Sequence, residues 1–195
     1  ILKKHGIYVQ AGFILFDDNT TFEELKENYE FLREYDWIIT KGIFSEMFAA
    51  DGTLYTEKLK KEDKIVKNDV YDNNKYEIVD PKVKLTYNAL KKWHKSHMKL
   101  YDMIIDPISS PKAIDETGEK SFYDLFYQLK LKDLDFMKMV LDDVERGITE
   151  RELNEKVIAQ IIGNSEFYSS INRSGQALCE KYNLNYDGKE NPFIR

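Results

Sequence analysis

The chain has 195 residues, of which 42% are hydrophobic and 33% are charged, and its formal net charge is −6. This composition is typical of a globular protein, and no apolar run reaches the roughly 18 residues that a membrane span needs. The acidic balance argues against nonspecific binding of nucleic acid, which requires a basic surface. Because Cys179 is the one cysteine, no intrachain disulfide can form, and we expect a reducing, cytoplasmic compartment.

The first 64 residues predict a strand, a helix and a second strand. Residues 8–16 are almost continuously apolar, which is typical of a strand that is buried on both faces. Either threonine of Thr20-Thr21 can cap the helix that follows, because a glutamate stands three residues after each of them. Strand character resumes over residues 37–48, and a short helix is expected over residues 54–64.

Helical patterns dominate beyond a polar linker that we place at residues 65–75. Pro81 suits the first position of a long helix over residues 82–105, and Pro107 is expected to stop that helix. Further helices are predicted over residues 121–145, 149–162 and 165–182. The expected organisation is a first unit at residues 1–64, the linker at 65–75, and a helical C-terminal region at 76–195.

Two polar residues are candidates for a ligand site because of where they stand in the predicted strands. Glu46 lies where the second strand should end, and ligand-contacting groups collect at the carboxyl ends of strands in α/β folds. Gln10 is a polar residue inside an apolar strand, so it should point either at a partner or into the lumen of a barrel. A surface position for Glu46 is an equally open alternative.

Other residues that can carry chemistry have simpler structural explanations. His94 and His97 share a helix face and could bind a metal, but no third ligand stands nearby, so ordinary helix histidines are preferred. The acids of the second long helix predict a solvated face, and its aromatic residues are expected in the core. These residues are Asp133, Asp135, Asp142, Asp143 and Glu145, with Phe122, Tyr123, Phe126 and Tyr127.

The first unit resembles the radical S-adenosylmethionine enzymes, and most closely those members that carry a cobalamin-binding domain. The resemblance is carried by the string from Gly6 to Asp17, by Thr20–Leu25, and by Ala49–Tyr55, and it covers about a third of the chain. It implies an α/β fold in which residues 1–64 are the strand–helix–strand remnant of a partial (βα)6 TIM-like barrel. A mostly helical C-terminal region would follow and would cap the mouth of the barrel.

The resemblance also implies which residues face the ligands. Gly12 and Ile14 match the family's Gly-x-Ile-x-Gly strand, whose apolar residues contact the adenine of S-adenosylmethionine, and Phe16 stands in place of the second glycine. Gln10 and Glu46 would face the substrate, which is an unidentified small molecule or peptide. The implied cofactors are S-adenosylmethionine, a 4Fe-4S cluster and, in the parent protein, cobalamin.

The family's Cys-x3-Cys-x2-Cys cluster motif is absent from these 195 residues. Together with an opening that resembles the tail of a helix, this predicts a C-terminal fragment of an enzyme that makes a 5′-deoxyadenosyl radical and then methylates or rearranges its substrate. Alone, the chain would be inactive, and its partner would be the upstream half of the barrel or a second copy paired through open strand edges. The alternative is a non-catalytic helical interaction module that completes a partner's sheet.

Overall fold

The computed structural model describes residues 2–5, 7–68, 74–109 and 114–184, and most of these residues are helical. A single turn of 3-10 helix at Lys3–His5 precedes the regular elements. The helices are α1 (Phe22–Glu34), α2 (Leu54–Lys61), α3 (Pro81–Ser109), α4 (Glu116–Glu145), α5 (Glu150–Gly163) and α6 (Ser165–Lys181), and the strands are β1 (Ile65–Asn68) and β2 (Asn74–Tyr76).

The start of several helices follows directly from their capping residues. At α1 the Thr21 hydroxyl accepts from the Glu24 amide at 3.3 Å, and the Glu24 carboxylate accepts from the Thr21 amide at 2.7 Å, so the predicted capping box is confirmed. Thr149 and Glu152 form the same reciprocal pair at the start of α5. Pro81 is the first residue of α3, where its missing amide hydrogen costs nothing.

Two predicted helix boundaries are wrong, and tertiary contacts explain one of them. α3 continues through Pro107 to Ser109, so this proline does not end the helix. α4 begins at Glu116, five residues before its predicted start, because Asp115 caps it by accepting from the Gly118 amide at 2.7 Å. The same carboxylate accepts from the Tyr182 hydroxyl at 2.7 Å, which anchors the start of α4 to the end of α6.

The predicted α/β architecture is wrong, since the fold belongs to the helical class. Among the described residues the one sheet is the antiparallel pair of β1 and β2, which covers parts of the segment predicted as a linker and ends at Tyr76, the first residue after it. Residues 8–16, called the first extended segment, and residues 37–48, called the second and interrupted by bends, are joined by β-bridges at just two isolated positions, Gln10–Ile39 and Phe16–Glu46. They therefore form neither the predicted strands nor a remnant of a barrel.

The side chain of Ser45 explains why the two extended segments form no continuous ladder. The amides of Leu15 and Phe16 both donate to the Ser45 carbonyl, at 3.2 and 3.0 Å, which shifts the register by one residue between the bridges. The Ser45 hydroxyl donates to the Phe13 carbonyl, a place that a backbone amide takes in a regular ladder. Gly42, at φ +72°, adds a bend that few other residues adopt.

The core lies mainly between α3 and α4, with α5 and α6 packed against α3. Trp93 of α3 stacks on Phe136 of α4 with ring centroids 3.9 Å apart, and Tyr101 and Phe126 are buried beside them. Phe122 is also fully buried, as its helical spacing predicts. None of the helices in the described part of the chain is both long and apolar enough to cross a membrane.

One buried lysine of α4 secures the end of α1 and the start of the second extended segment. The Lys130 ammonium donates to the carbonyls of Tyr35 and Ile38, and the side chain is 1% exposed. The partial negative charge on the final carbonyls of a helix offsets part of the cost of burying this cation. Nearby, Tyr127 donates to the Asp36 carboxylate at 2.8 Å and Tyr123 to the Trp37 carbonyl at 2.8 Å.

Candidate functional site

Exposed residues alternate with half-buried ones between residues 10 and 14 of the first extended segment, and the three exposed positions are predicted site residues. Gln10 and Gly12 are exposed, and 52% of Ile14 is accessible to solvent. A period of two follows from the extended backbone, in which successive side chains point to opposite sides. A Cβ atom added to Gly12 would meet no heavy atom within 4 Å, so the space over this residue is open.

The backbone of the same segment has one satisfied edge and one open edge. The Ala11 amide donates to the Ile39 carbonyl at 2.9 Å, and the Ile39 amide donates to the Val9 carbonyl at 2.8 Å. The amides and carbonyls of Gln10 and Gly12 therefore point the other way, where no backbone group within the described ranges pairs with them. The Gln10 side chain accepts from the Ser109 hydroxyl at 2.9 Å.

Phe16 differs from the other predicted cofactor residues because it is completely buried. Its ring packs edge-on against Tyr87, with centroids 5.2 Å apart, and tilted against Phe44 at 5.7 Å. Its backbone is bridged to Glu46. The structure thus brings Phe16 and Glu46 together, and the ring of Phe16 packs against Tyr87, which contacts Glu46.

Glu46 belongs to a three-residue cluster with Tyr87 and Lys91, which is called the Glu46 cluster below. The Tyr87 hydroxyl donates to Glu46 Oε2 at 2.5 Å and accepts from Lys91 Nζ at 2.6 Å. Lys91 Nζ lies 3.5 Å from Glu46 Oε1. Burial, and then the hydrogen bond to Glu46, raise the pKa of Tyr87, so the phenol stays protonated and donates to the carboxylate.

A cavity of about 360 Å³ opens beside the Glu46 cluster. It is bounded by the end of the second extended segment, by the β1–β2 hairpin and by the first turns of α3. Glu46 and Tyr87 form part of its polar wall, while Met47, Phe48 and Ile78 line it with apolar surface. Tyr76 also lines the cavity, and its hydroxyl donates to the Met47 carbonyl at 3.1 Å. Burial raises the pKa of this phenol to about 12.

An ion-pair cluster supports the loop that follows the first extended segment. The carboxylate of Asp18 is inaccessible to solvent and pairs with Lys64 at 2.6 Å and with Lys58 at 3.3 Å. Burial alone would raise the pKa of Asp18, but the hydrogen bonds from Lys64 and Lys58 outweigh it and lower the pKa. Tyr55 accepts from the Asp18 amide at 3.2 Å and packs edge-on against Tyr76, which links this loop to the cavity.

The predicted solvated acidic face of α4 is wrong at two positions. Asp133 is completely buried and accepts three hydrogen bonds, from Trp93 Nε1 at 2.8 Å, His97 Nε2 at 2.9 Å and the Tyr101 hydroxyl at 2.6 Å. Asp143 is 4% exposed. Its carboxylate pairs with Arg146 at 2.9 Å and Lys156 at 2.7 Å, so Asp143 also has a structural role.

The paired histidines of α3 do not converge on a common point. His97 points at Asp133, whereas His94 packs against Gly42, and burial lowers the pKa of His94. Over residues 2–5, 7–68, 74–109 and 114–184, no three His, Cys, Asp or Glu side chains come together in a group that could hold a metal ion. The alternative of a metal-binding helical protein therefore finds no ligand set in this part of the chain.

Tyr87 and Lys91 are the site residues that sequence reasoning missed. Their spacing of four places them on the same face of α3, but nothing in the sequence indicates that this face meets Glu46. No protein-family model matches the chain, and neither a curated protein nor a solved structure matches it.

Proposed function

We propose that this chain is part of a radical S-adenosylmethionine enzyme, to which it contributes one wall of the pocket for cofactor and substrate. The observation that carries the proposal is the exposure pattern of the first extended segment. Gln10, Gly12 and Ile14, which the resemblance assigns to ligand contacts, are the accessible residues, while the side chains between them are half-buried. Glu46 stands on the adjacent segment at the wall of a cavity.

The residues suit some of the implied cofactors and not others. An exposed isoleucine beside an open glycine offers an apolar surface against which the face of a nucleobase can pack, so Ile14 and Gly12 fit S-adenosylmethionine. A 4Fe-4S cluster does not fit these residues, because it needs three or four thiolates and Cys179 is the one cysteine. The cluster, and cobalamin if the enzyme uses it, would be bound by polypeptide outside this sequence.

The proposal is tested on the complete reading frame that contains these codons, expressed without oxygen and supplied with iron and sulfide. We expect a brown protein that cleaves S-adenosylmethionine to 5′-deoxyadenosine when it is reduced. Ile14→Ser should slow this cleavage at least tenfold. Ile162→Ser is the matched control, because Ile162 of α5 is 67% exposed and lies outside the proposed wall. A reading frame without a cluster motif, or equal rates for both variants, would contradict the proposal.

A second candidate function is a non-catalytic module that completes a partner's sheet, and the open edge at Gln10 and Gly12 favours it. Here the upstream polypeptide or a second copy would add a strand beside residues 8–14. Gly12→Pro removes an amide hydrogen from the open edge and should abolish association seen by light scattering. Ala11→Pro is the comparison, because it removes a hydrogen bond that the chain makes with itself at Ile39. A wild-type chain that stays monomeric at millimolar concentration would count against this candidate.

We also propose that the protein works in the cytoplasm. A lone cysteine leaves the fold independent of disulfides, and an iron–sulfur enzyme requires reducing conditions. Staining of the tagged full-length protein in intact and fractionated cells tests this, and recovery from an extracellular fraction would contradict it.

A further inference from the structure

We propose that the cavity beside the Glu46 cluster binds a small molecule that carries a primary ammonium group on an apolar body. This ligand class rests on the proposed function only in taking Glu46 as a side chain that faces a ligand. The cavity volume of about 360 Å³ is within the usual range for small-molecule sites and accommodates a ligand of about ten non-hydrogen atoms.

The carboxylate of Glu46 has unused hydrogen-bonding capacity. Oε2 accepts a short bond of 2.5 Å from Tyr87, whereas the contact that Oε1 makes with Lys91 is 3.5 Å, at the limit of a hydrogen bond. The Glu46 side chain is 31% exposed and lines the cavity. A donor inside the cavity can therefore reach Oε1 while Tyr87 keeps Oε2 fixed in position.

The neighbouring lysines occupy this acceptor only in part, through the 3.5 Å contact of Lys91 with Oε1. The Lys91 ammonium bonds to the Tyr87 hydroxyl at 2.6 Å and lies 4.8 Å from the centre of the Tyr87 ring and 5.7 Å from that of Phe44. Lys84 lines the same cavity and is 3.8 Å from Glu77. Lys91 makes its short hydrogen bond with Tyr87 and Lys84 lies beside Glu77, so a ligand ammonium that reaches Oε1 at hydrogen-bond distance gains most from Glu46, because hydrogen bonds between ions are the strong ones.

The apolar part of the ligand follows from the rest of the lining. Phe48 and Val66 are 57% and 67% exposed, and both line the cavity with apolar surface. Ile78 is nearly buried among them. The aromatic faces of Phe48 and Tyr76 can also receive a cation. A ligand body of aromatic or branched aliphatic carbon would cover this surface.

The test uses phenethylammonium and, as its charge-reversed match, 3-phenylpropionate, each titrated into the isotope-labelled chain while amide resonances are followed by NMR. We expect phenethylammonium to bind with a Kd on the order of millimolar, as its size allows, and to shift resonances around Glu46 and Phe48. The carboxylate of 3-phenylpropionate would instead pair with Lys75 and Lys84, which also line the cavity. Equal or tighter binding of the propionate, or no shift with either probe, would overturn the assignment.

Three variants identify the group that binds the ammonium. Glu46→Gln should weaken phenethylammonium binding by about fivefold or more. The control Glu77→Gln removes a carboxylate from the same cavity and should change binding by less than about twofold. Lys91→Met should strengthen binding by about twofold or more, since it removes the competing cation from Oε1.

If Glu46→Gln unfolds, the opposite sign expected for Lys91→Met still decides the question, and unchanged or weaker binding to Lys91→Met would overturn the assignment. Amine binding by this chain needs neither iron nor S-adenosylmethionine, and cleavage of S-adenosylmethionine by the complete enzyme needs no amine. Either result can therefore fail while the other holds.

Discussion

Asp133→Ala removes the acceptor at the centre of the helical core. The carboxylate accepts from Trp93, His97 and Tyr101, and all four side chains are inaccessible or nearly so. Truncation leaves three buried donors without an acceptor, at a cost of about 1–3 kcal/mol each. Relief from the burial of a carboxylate offsets part of this cost, so we expect a loss of about 3–6 kcal/mol in the free energy of unfolding. That is a large share of the total for an ordinary domain, which is about 5–15 kcal/mol.

Equilibrium unfolding in urea measures this loss by the fluorescence of Trp37 and Trp93, of which Trp93 lies within the cluster. Asp133→Asn keeps one oxygen acceptor and should lose about 1–3 kcal/mol. Asp135→Ala is the matched control on the same helix, because this side chain is 65% exposed and meets Arg33 at 3.4 Å; it should change stability by less than about 0.5 kcal/mol. An Asp133→Ala protein within about 1 kcal/mol of wild type would refute the reasoning, since three orphaned donors cannot cost so little.

Three further predictions concern other buried groups. Burial lowers the pKa of Lys130 to about 8, so between pH 8 and 10.5 the unfolded chain binds more protons at this residue than the folded chain does. The unfolding free energy of wild type minus that of Lys130→Met should therefore rise by up to about 3 kcal/mol as the pH increases across this window. A difference that stays constant would contradict this prediction. In Gly42→Ala a residue at φ +72° also gains a Cβ that lies 2.5 Å from His94 Nδ1, so thermal unfolding should show a loss of stability of about 2 kcal/mol or more. In Gly52→Ala the residue is at φ +79° but the space around it is open, so the loss should be only about 1 kcal/mol. Asp18→Asn should destabilise the protein by about 1–3 kcal/mol at pH 7. Because the folded pKa of Asp18 is lowered, wild type loses this advantage as the pH falls below about 4, and an advantage that persists at pH 2 would contradict the pairing with Lys58 and Lys64.

Local chemistry explains which helices were predictable from the sequence. Thr21 with Glu24 and Thr149 with Glu152 satisfy backbone groups at their own helix ends, so the signal and its effect lie within four residues. The start of α4 was missed because Gly118 suggests a loop, although the tertiary contact with Tyr182 explains the glycine: a Cβ there would lie 2.7 Å from the Tyr182 ring.

The error in fold class has a similar origin. Residues 8–16 carry the apolar pattern of a buried strand, and their backbone is indeed extended, but one serine hydroxyl on the neighbouring segment takes a place that a ladder amide needs. The pattern of apolar residues indicates which side chains are buried, but it does not show where a side-chain hydroxyl takes the place of a backbone amide. In the candidate site, the alternation of Gln10, Gly12 and Ile14 followed from the extended backbone. The contact of Tyr87 and Lys91 with Glu46 is a long-range one, as is the burial of Asp133, so neither has a local signature.

The second extended segment is held at its two ends by different long helices. Near the beginning of the segment, Lys130 of α4 donates a hydrogen bond to the carbonyl of Ile38, and near its end Tyr87 of α3 donates one to the carboxylate of Glu46. The segment is therefore tied to both long helices of the core, to α4 through a backbone carbonyl and to α3 through a side chain. The position of the Glu46 carboxylate at the cavity wall therefore depends on contacts with α3 and α4 together.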